Sequence, residues 1–206
     1  MSASARRWLL YAWAQTLLFF GLNARALPAF RQVVRESPER AEAWSVLAFL
    51  HAQKGELSEA IPAFEQALSL QPNDPALCFN AAFTLQRAGR HDEALERFLR
   101  AIELDPKLDR AWYGLGLSLS HVGRYEEARA PLQRYLNRYP NILPAHLMLA
   151  AVYSELGQTA EAQKEAAEVL RLNPNFSLEV HTQRMPIKDP AVLERHIAAL
   201  RRAGLK

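Results

Sequence analysis

Residues Ala41 to Asp74 read AEAWSVLAFLHAQKGELSEAIPAFEQALSLQPND, and the whole fold can be argued outward from this stretch. Trp44, Leu47 and Ala48 fall at the spacing of one helical face, so the segment opens with a helix that has a buried stripe. Gly55 ends that helix, because glycine accepts the left-handed backbone needed just past a helix end. Ala60, Phe64 and Ala67 then mark the stripe of a second helix. Pro72 closes the unit, since proline cannot continue a helix interior. The same sentence can be read from Trp112, Leu115, Gly116 and Leu119, through Gly123, to Ala128, Leu132, Tyr135, Leu136 and Pro140.

The unit repeats with a period of 34 residues. Prolines recur at Pro38, Pro72, Pro106, Pro140 and Pro174, and glycines at Gly21, Gly55, Gly89, Gly123 and Gly157. Alanines keep the same beat at Ala26, Ala60, Ala94, Ala128 and Ala162. A small residue also recurs on the first helix of each unit, at Ala14, Ala48, Ala82, Gly116 and Ala150. Small residues on both helices of a pair permit close antiparallel packing. A fixed period of this length, held without insertion, is the signature of a solenoid.

The Ala41–Asp74 segment resembles a tetratricopeptide repeat (TPR), with Trp44, Leu47, Ala48, Gly55, Ala60, Phe64, Ala67 and Pro72 in the family's signature positions. Phased from it, the repeats are 7–40, 41–74, 75–108, 109–142 and 143–176, followed by a linker and capping helix over 177–206. The resemblance implies an all-α, right-handed α-solenoid of antiparallel helix pairs. The fifth repeat departs from the pattern at His146 and Ala166, as suits a terminal unit. Pro28 and Pro62 lie early in second helices, where proline is tolerated within about the first turn, so those helices are expected to start late.

Both ends need separate reading. Asp189 as N-cap, Pro190 at the first helical position and Gly204 past the end signal a capping helix over 189–203, with Leu193, Ile197 and Leu200 on one face. The phrase KDPAVLERHIAALRRAGL is similar to tails that follow such repeats in some bacterial class III nucleotide cyclases and winged-helix regulators. At the other end, Arg6-Arg7, the apolar run from Trp8 to Leu22 and Ala24-Arg25-Ala26 have the order of a secretory signal. The run is too short to span a bilayer, and Trp13, Ala14, Leu17, Gly21, Ala26 and Phe30 keep the repeat phase. A folded first repeat is the favoured reading. Trp8, Tyr11, Leu18 and Phe19 then make its first helix apolar on the other side too, which calls for an interface: self-association, a partner protein or, less favoured, a membrane surface.

Charge and chemistry narrow the function. The formal charge is +3, and residues 177–206 alone carry six Lys/Arg against three Asp/Glu, so the repeats are near neutral and no nucleic-acid partner is expected. Cys78 is the single cysteine; it fits a small buried hydrophobe and a reducing, cytoplasmic setting. The histidines show no metal-ligand spacing, and no cofactor is expected. Gly114-Leu115-Gly116 opens like a dinucleotide fingerprint but lies inside a helix with no preceding strand. Ser118 and His121 lack an orienting acid, so no enzyme is expected. Glu93 and Glu96 each precede an arginine by four residues, the spacing of helix-supporting ion pairs.

In the family that the repeats resemble, first helices line a concave surface that takes peptides or partner helices. Mapped here, that surface is Phe49, Gln53, Phe79, Phe83, Gln86, Arg87, Arg110, Tyr113, Leu117, His121, Leu147, Ala151 and Glu155. Its centre is an apolar band of Phe49, Phe79, Phe83, Tyr113 and Leu117, rimmed by Arg87, Arg110 and His121. A partner segment that is apolar and acidic would fit. A clamp for a chaperone's terminal carboxylate would not, because Ser45, Phe49, Phe79 and Phe83 stand where its Lys and Asn belong. The leading reading is a bacterial adaptor. An exported or membrane-docked envelope-assembly factor, and a regulatory module related to a signalling enzyme, are the alternatives.

Overall fold

The computed structural model describes residues 3–185 and 190–206. Among these residues it contains helices and no strand, and the helices run in antiparallel pairs: α1 (Ala3–Phe19) with α2 (Asn23–Glu36), α3 (Ala41–Gln53) with α4 (Leu57–Leu70), α5 (Pro75–Arg87) with α6 (His91–Leu104), α7 (Asp109–His121) with α8 (Tyr125–Arg138), and α9 (Leu143–Glu155) with α10 (Thr159–Leu172). Two further helices follow, α11 (Leu178–Arg184) and α12 (Pro190–Arg202). Each pair packs on the pairs directly before and after it. The chain is an all-α solenoid. No described helix is long and apolar enough to cross a membrane.

The turn within each pair is built one way. At Gly55, φ is +79°, the left-handed region that a side chain would resist. Its N–H reaches the Ala52 carbonyl at 3.1 Å and the next N–H, of Glu56, reaches His51 at 3.0 Å. These two bonds satisfy carbonyls that the end of α3 would otherwise leave unpaired. The same pair of bonds recurs around Gly123, from Gly123 to Ser120 and from Arg124 to Leu119.

Large rings on second helices pack against small residues on first helices. Phe30, Phe64, Phe98 and Leu132 are 2 % exposed or less. A Cβ at Gly114 would stand 2.4 Å from ring atoms of Phe98, and one at Gly116 would stand 2.6 Å from Leu132 Cγ. The two glycines that resembled a phosphate loop are the surfaces on which α6 and α8 close against α7. The equivalent position in the last pair is Ala166, a small residue that is itself buried.

Three local expectations change. Pro28 and Pro62 sit inside α2 and α4, which begin at Asn23 and Leu57. The carbonyls they vacate, of Ala24 and Ser58, lie on exposed residues, where water can take the lost bond. Arg97 and Arg100 do not pair with Glu93 and Glu96. Arg97 crosses to Glu65 of α4 at 2.7 Å, and Arg100 turns to Glu103 at 3.1 Å and Asn73 at 2.7 Å. For Arg97 an inter-helix partner outcompetes the local one, and for Arg100 the local partner is Glu103, one turn on, rather than Glu96. Third, part of the expected linker is helical: Ser177 caps α11, accepting from Val180 N–H. The Asp189 cap lies outside the described residues.

Candidate partner-binding groove

α3 touches α5, α5 touches α7 and α7 touches α9, whereas successive second helices make no comparable contact among the described residues. Spacing is therefore tighter along the first helices, and the stack curves toward them. Their free faces form the inner wall.

On that wall Phe79 and Phe83 stack, and Phe49 stands exposed on the neighbouring α3. Phe49 is 48 % exposed and Phe83 is 46 % exposed. Phe79 lies half-buried beside Phe83, with ring centroids 6.1 Å apart and planes within 13°. The Arg110 guanidinium sits 4.5 Å above the Phe79 ring, a cation–π arrangement that presents positive charge next to the apolar strip. Leu117 is half-buried alongside.

The remaining expected residues are largely committed elsewhere. Tyr113 stands 5.0 Å, ring to ring, from Tyr135 of α8, and burial, with a smaller contribution from Tyr135, pushes its phenol up to about 12. It belongs more to the wall than to the cleft. Gln86 is buried and donates to the Gly114 carbonyl at 3.0 Å and to Ser118 Oγ at 2.7 Å. That bond also explains Ser118, which is wholly buried as a packing hydroxyl. Arg87 donates to the Ala52 carbonyl at 2.9 Å, tying α5 to the end of α3. Gln53 accepts from Asn23 at 3.0 Å.

The C-terminal part of the wall is covered by the chain itself. α12 packs on α9. Leu147 and Ala151 are 2 % and 4 % exposed, and Glu155 is paired with Arg202 of α12. Beneath α12 a cavity of about 20 Å³, room for a water, is lined by residues that include His121, Tyr125, Met148, Arg195 and His196. His121 therefore sits under a helix rather than on the groove rim. Its ring meets His91 of α6 at a centroid distance of 4.7 Å. Nothing in the sequence marked His91 as its neighbour. The signal for the cover was present in α9, where every residue from Ala145 to Tyr153 is buried: a helix apolar on all sides has company on all sides.

α1 is apolar on all sides but lacks that company. Trp8, Leu9, Trp13, Phe19 and Phe20 are 48–86 % exposed. Trp13 is the counterpart of Leu47, Leu115 and Leu149, each 5 % exposed or less beneath a preceding helix. Tyr11 and Leu18 are instead turned inward. Tyr11 packs edge-on against Phe30 at 6.3 Å under the Arg40 guanidinium, and Leu18 joins the same small core.

Sequence models for the tetratricopeptide repeat match residues 11–75, and residues 52–119, 85–143 and 119–182. No curated protein sequence matches the chain. Among solved structures, YrrB, described as a TPR protein with an unusual peptide-binding site, is 20 % identical with TM-score 0.76, over 85 % of this chain and 91 % of its own. MamA from Desulfovibrio magneticus RS-1, residues 41 to the end, is 20 % identical with TM-score 0.75, over 82 % and 95 % of the two chains. MamA AMB-1 is 19 % identical with TM-score 0.75, over 86 % and 97 %. At such identities the likeness is one of fold, but the sequence models run through four-fifths of the chain, and on that basis the chain belongs to the tetratricopeptide repeat family.

Proposed function

We propose that this chain is a non-catalytic adaptor that takes an apolar, acidic partner segment on the open inner wall between α3 and α7. The observation that carries this reading is the pair of phenylalanines, Phe49 and Phe83, left about half exposed on first helices. Exposed rings beside a guanidinium are the residue types that anchor interfaces. The peptide-binding site named for YrrB is in keeping with it. Binding of fluorescent acidic–apolar helical peptides, read by polarisation, tests the proposal. Phe49→Ala/Phe83→Ala is expected to weaken binding more than tenfold, and Arg110→Glu to weaken it for acidic peptides alone. Equal affinity for wild type and the double alanine variant ends this reading.

A second reading rests on a different observation, the uncovered face of α1. Trp8, Leu9, Trp13 and Phe20 form a strip that a second copy's α1 would bury. Sedimentation of wild type against Trp13→Glu/Phe20→Glu decides it: a dimer reduced to monomer supports the reading, and a monomer in both discards it. The rival use of this end, export or membrane docking, is tested by N-terminal sequencing of the expressed protein.

A further inference from the structure

Four of the six histidines gather where α12 meets the solenoid. His91 on α6 meets His121 on α7, ring centroids 4.7 Å apart. His181 on α11 meets His196 on α12, centroids 6.3 Å apart. His121 and His196 line the same small cavity. Nδ1 of His91, Nδ1 of His121 and Nε2 of His181 are buried without a hydrogen-bond partner. The charged and titratable groups facing this cluster are few. α12 supplies Arg195, whose guanidinium lies 6.0 Å from the ring centre of Tyr125 on α8. α9 supplies Glu155, already engaged by Arg202, and α6 supplies Asp92, which acts on His91. A proton gained by His121 or His196 would therefore meet buried imidazoles and an arginine, with no free carboxylate in contact among the described residues.

We propose that α12 is a detachable cover over the fifth-pair end of the inner wall, seated by uncharged His121 and His196 and released when they are protonated. The helix is lightly held compared with its neighbours. Within α12 only Ala199 and Leu200 are fully buried, with Ala203 and Leu205 just after it; they join the same core as Phe98, Leu115 and Leu119, but α6 and α7 each bury more residues in it. Release uncovers Leu147, Ala151 and Glu155, the surface that continues the open groove. The inference stands whatever the open groove binds.

The sign follows from where protons are bound. Burial, then the neighbouring His91, His196 and Arg195, lowers His121 to about 4, and burial, then His181, lowers His196 to about 4. Each regains an ordinary value of about 6.5 once solvated. The covered state thus binds fewer protons than the open state, and its advantage is full above about pH 6.5 and lost as pH falls toward 4. Each histidine shifts the balance toward release by about tenfold at pH 5.5.

Amide hydrogen exchange of the full chain, corrected for the intrinsic pH dependence of exchange, reads this directly. Between pH 7.5 and 5.5, protection of α12 should fall by about tenfold or more while that of α5 and α6 holds. In His121→Asn/His196→Gln, whose substituted side chains cannot be protonated in this range, the α12 protection factor should lose most of its pH response, leaving only what His91 and His181 contribute. Undiminished α12 protection at pH 5.5, loss of α12 together with α5 and α6, or an unchanged pH response in the double variant would each overturn the proposal.

Discussion

Nε2 of His146 hydrogen-bonds the carbonyl of Pro140 at 2.9 Å, repeating the bond that the indole N–H of Trp44 makes to Pro38 at 2.9 Å and that of Trp112 makes to Pro106 at 3.1 Å. The residue that looked like a lapse in the repeat keeps its polar function. In α3, α7 and α9 a ring nitrogen fastens the start of the first helix to the end of the helix before it. His146 adds a second tie, Nδ1 to Glu165 Oε2 at 2.6 Å. His146→Leu keeps the volume but removes both ties and strands the largely buried Glu165 carboxylate, so a loss of about 1–3 kcal/mol is expected by urea unfolding.

Gly114 tests the packing between pairs. Glycine inside a helix normally costs about 0.5–1 kcal/mol relative to alanine, so Gly114→Ala on an open helix would stabilise. Here the new methyl meets the wholly buried Phe98 ring at 2.4 Å, and overpacking of this kind costs about 1–3 kcal/mol. The variant should have a lower urea midpoint. Combining it with Phe98→Leu should recover part of the loss, whereas strictly additive losses would mean the contact is unimportant.

Lining and wall residues should separate by stability alone. Phe49→Ala and Phe83→Ala remove half-exposed rings and are expected to change stability by about 1 kcal/mol or less. Tyr113→Ala empties a largely enclosed site beside Tyr135 and should cost about 2–4 kcal/mol. If Phe83→Ala proves as damaging as Tyr113→Ala, Phe83 is holding the solenoid together rather than facing a partner.

Alkaline titration gives an independent view of the same site. Tyr113 stays neutral in the folded chain up to about 12, while an unfolded tyrosine ionises near 10. The native state therefore holds a proton that the unfolded state releases. Its contribution is intact below about pH 10 and declines as pH rises toward 12, by on the order of 2 kcal/mol. Tyr113→Phe should flatten that part of the thermal-stability profile, and an unchanged slope would locate the effect elsewhere.

The 34-residue beat was enough to read the helix pairs, because Gly55 and Gly123 permit a backbone conformation that other residues resist, and Ala48 and Ala60 mark helices in close contact. The make-up of the inner wall was legible in part. Phe49, Phe83 and Arg110 lie on the inner wall, whereas Gln86, Leu147, Ala151 and His121 share their helical phase yet are buried or covered. Periodicity tells which side of a helix is apolar, but not what lies against it. Start and stop signals described α12 well, and could not say on which face of the stack it would land. That depended on complementarity between Ala199 and Leu200 and a helix, α9, some forty residues away in sequence.

Because every pair leans only on the pairs beside it, the molecule has no central keystone. Pulled from its termini, it should come apart as a series of small yields, one pair at a time, each transmitted no farther than the next joint. Damage in such an architecture stays local: a weakened pair loosens its two neighbours and leaves the rest of the column standing.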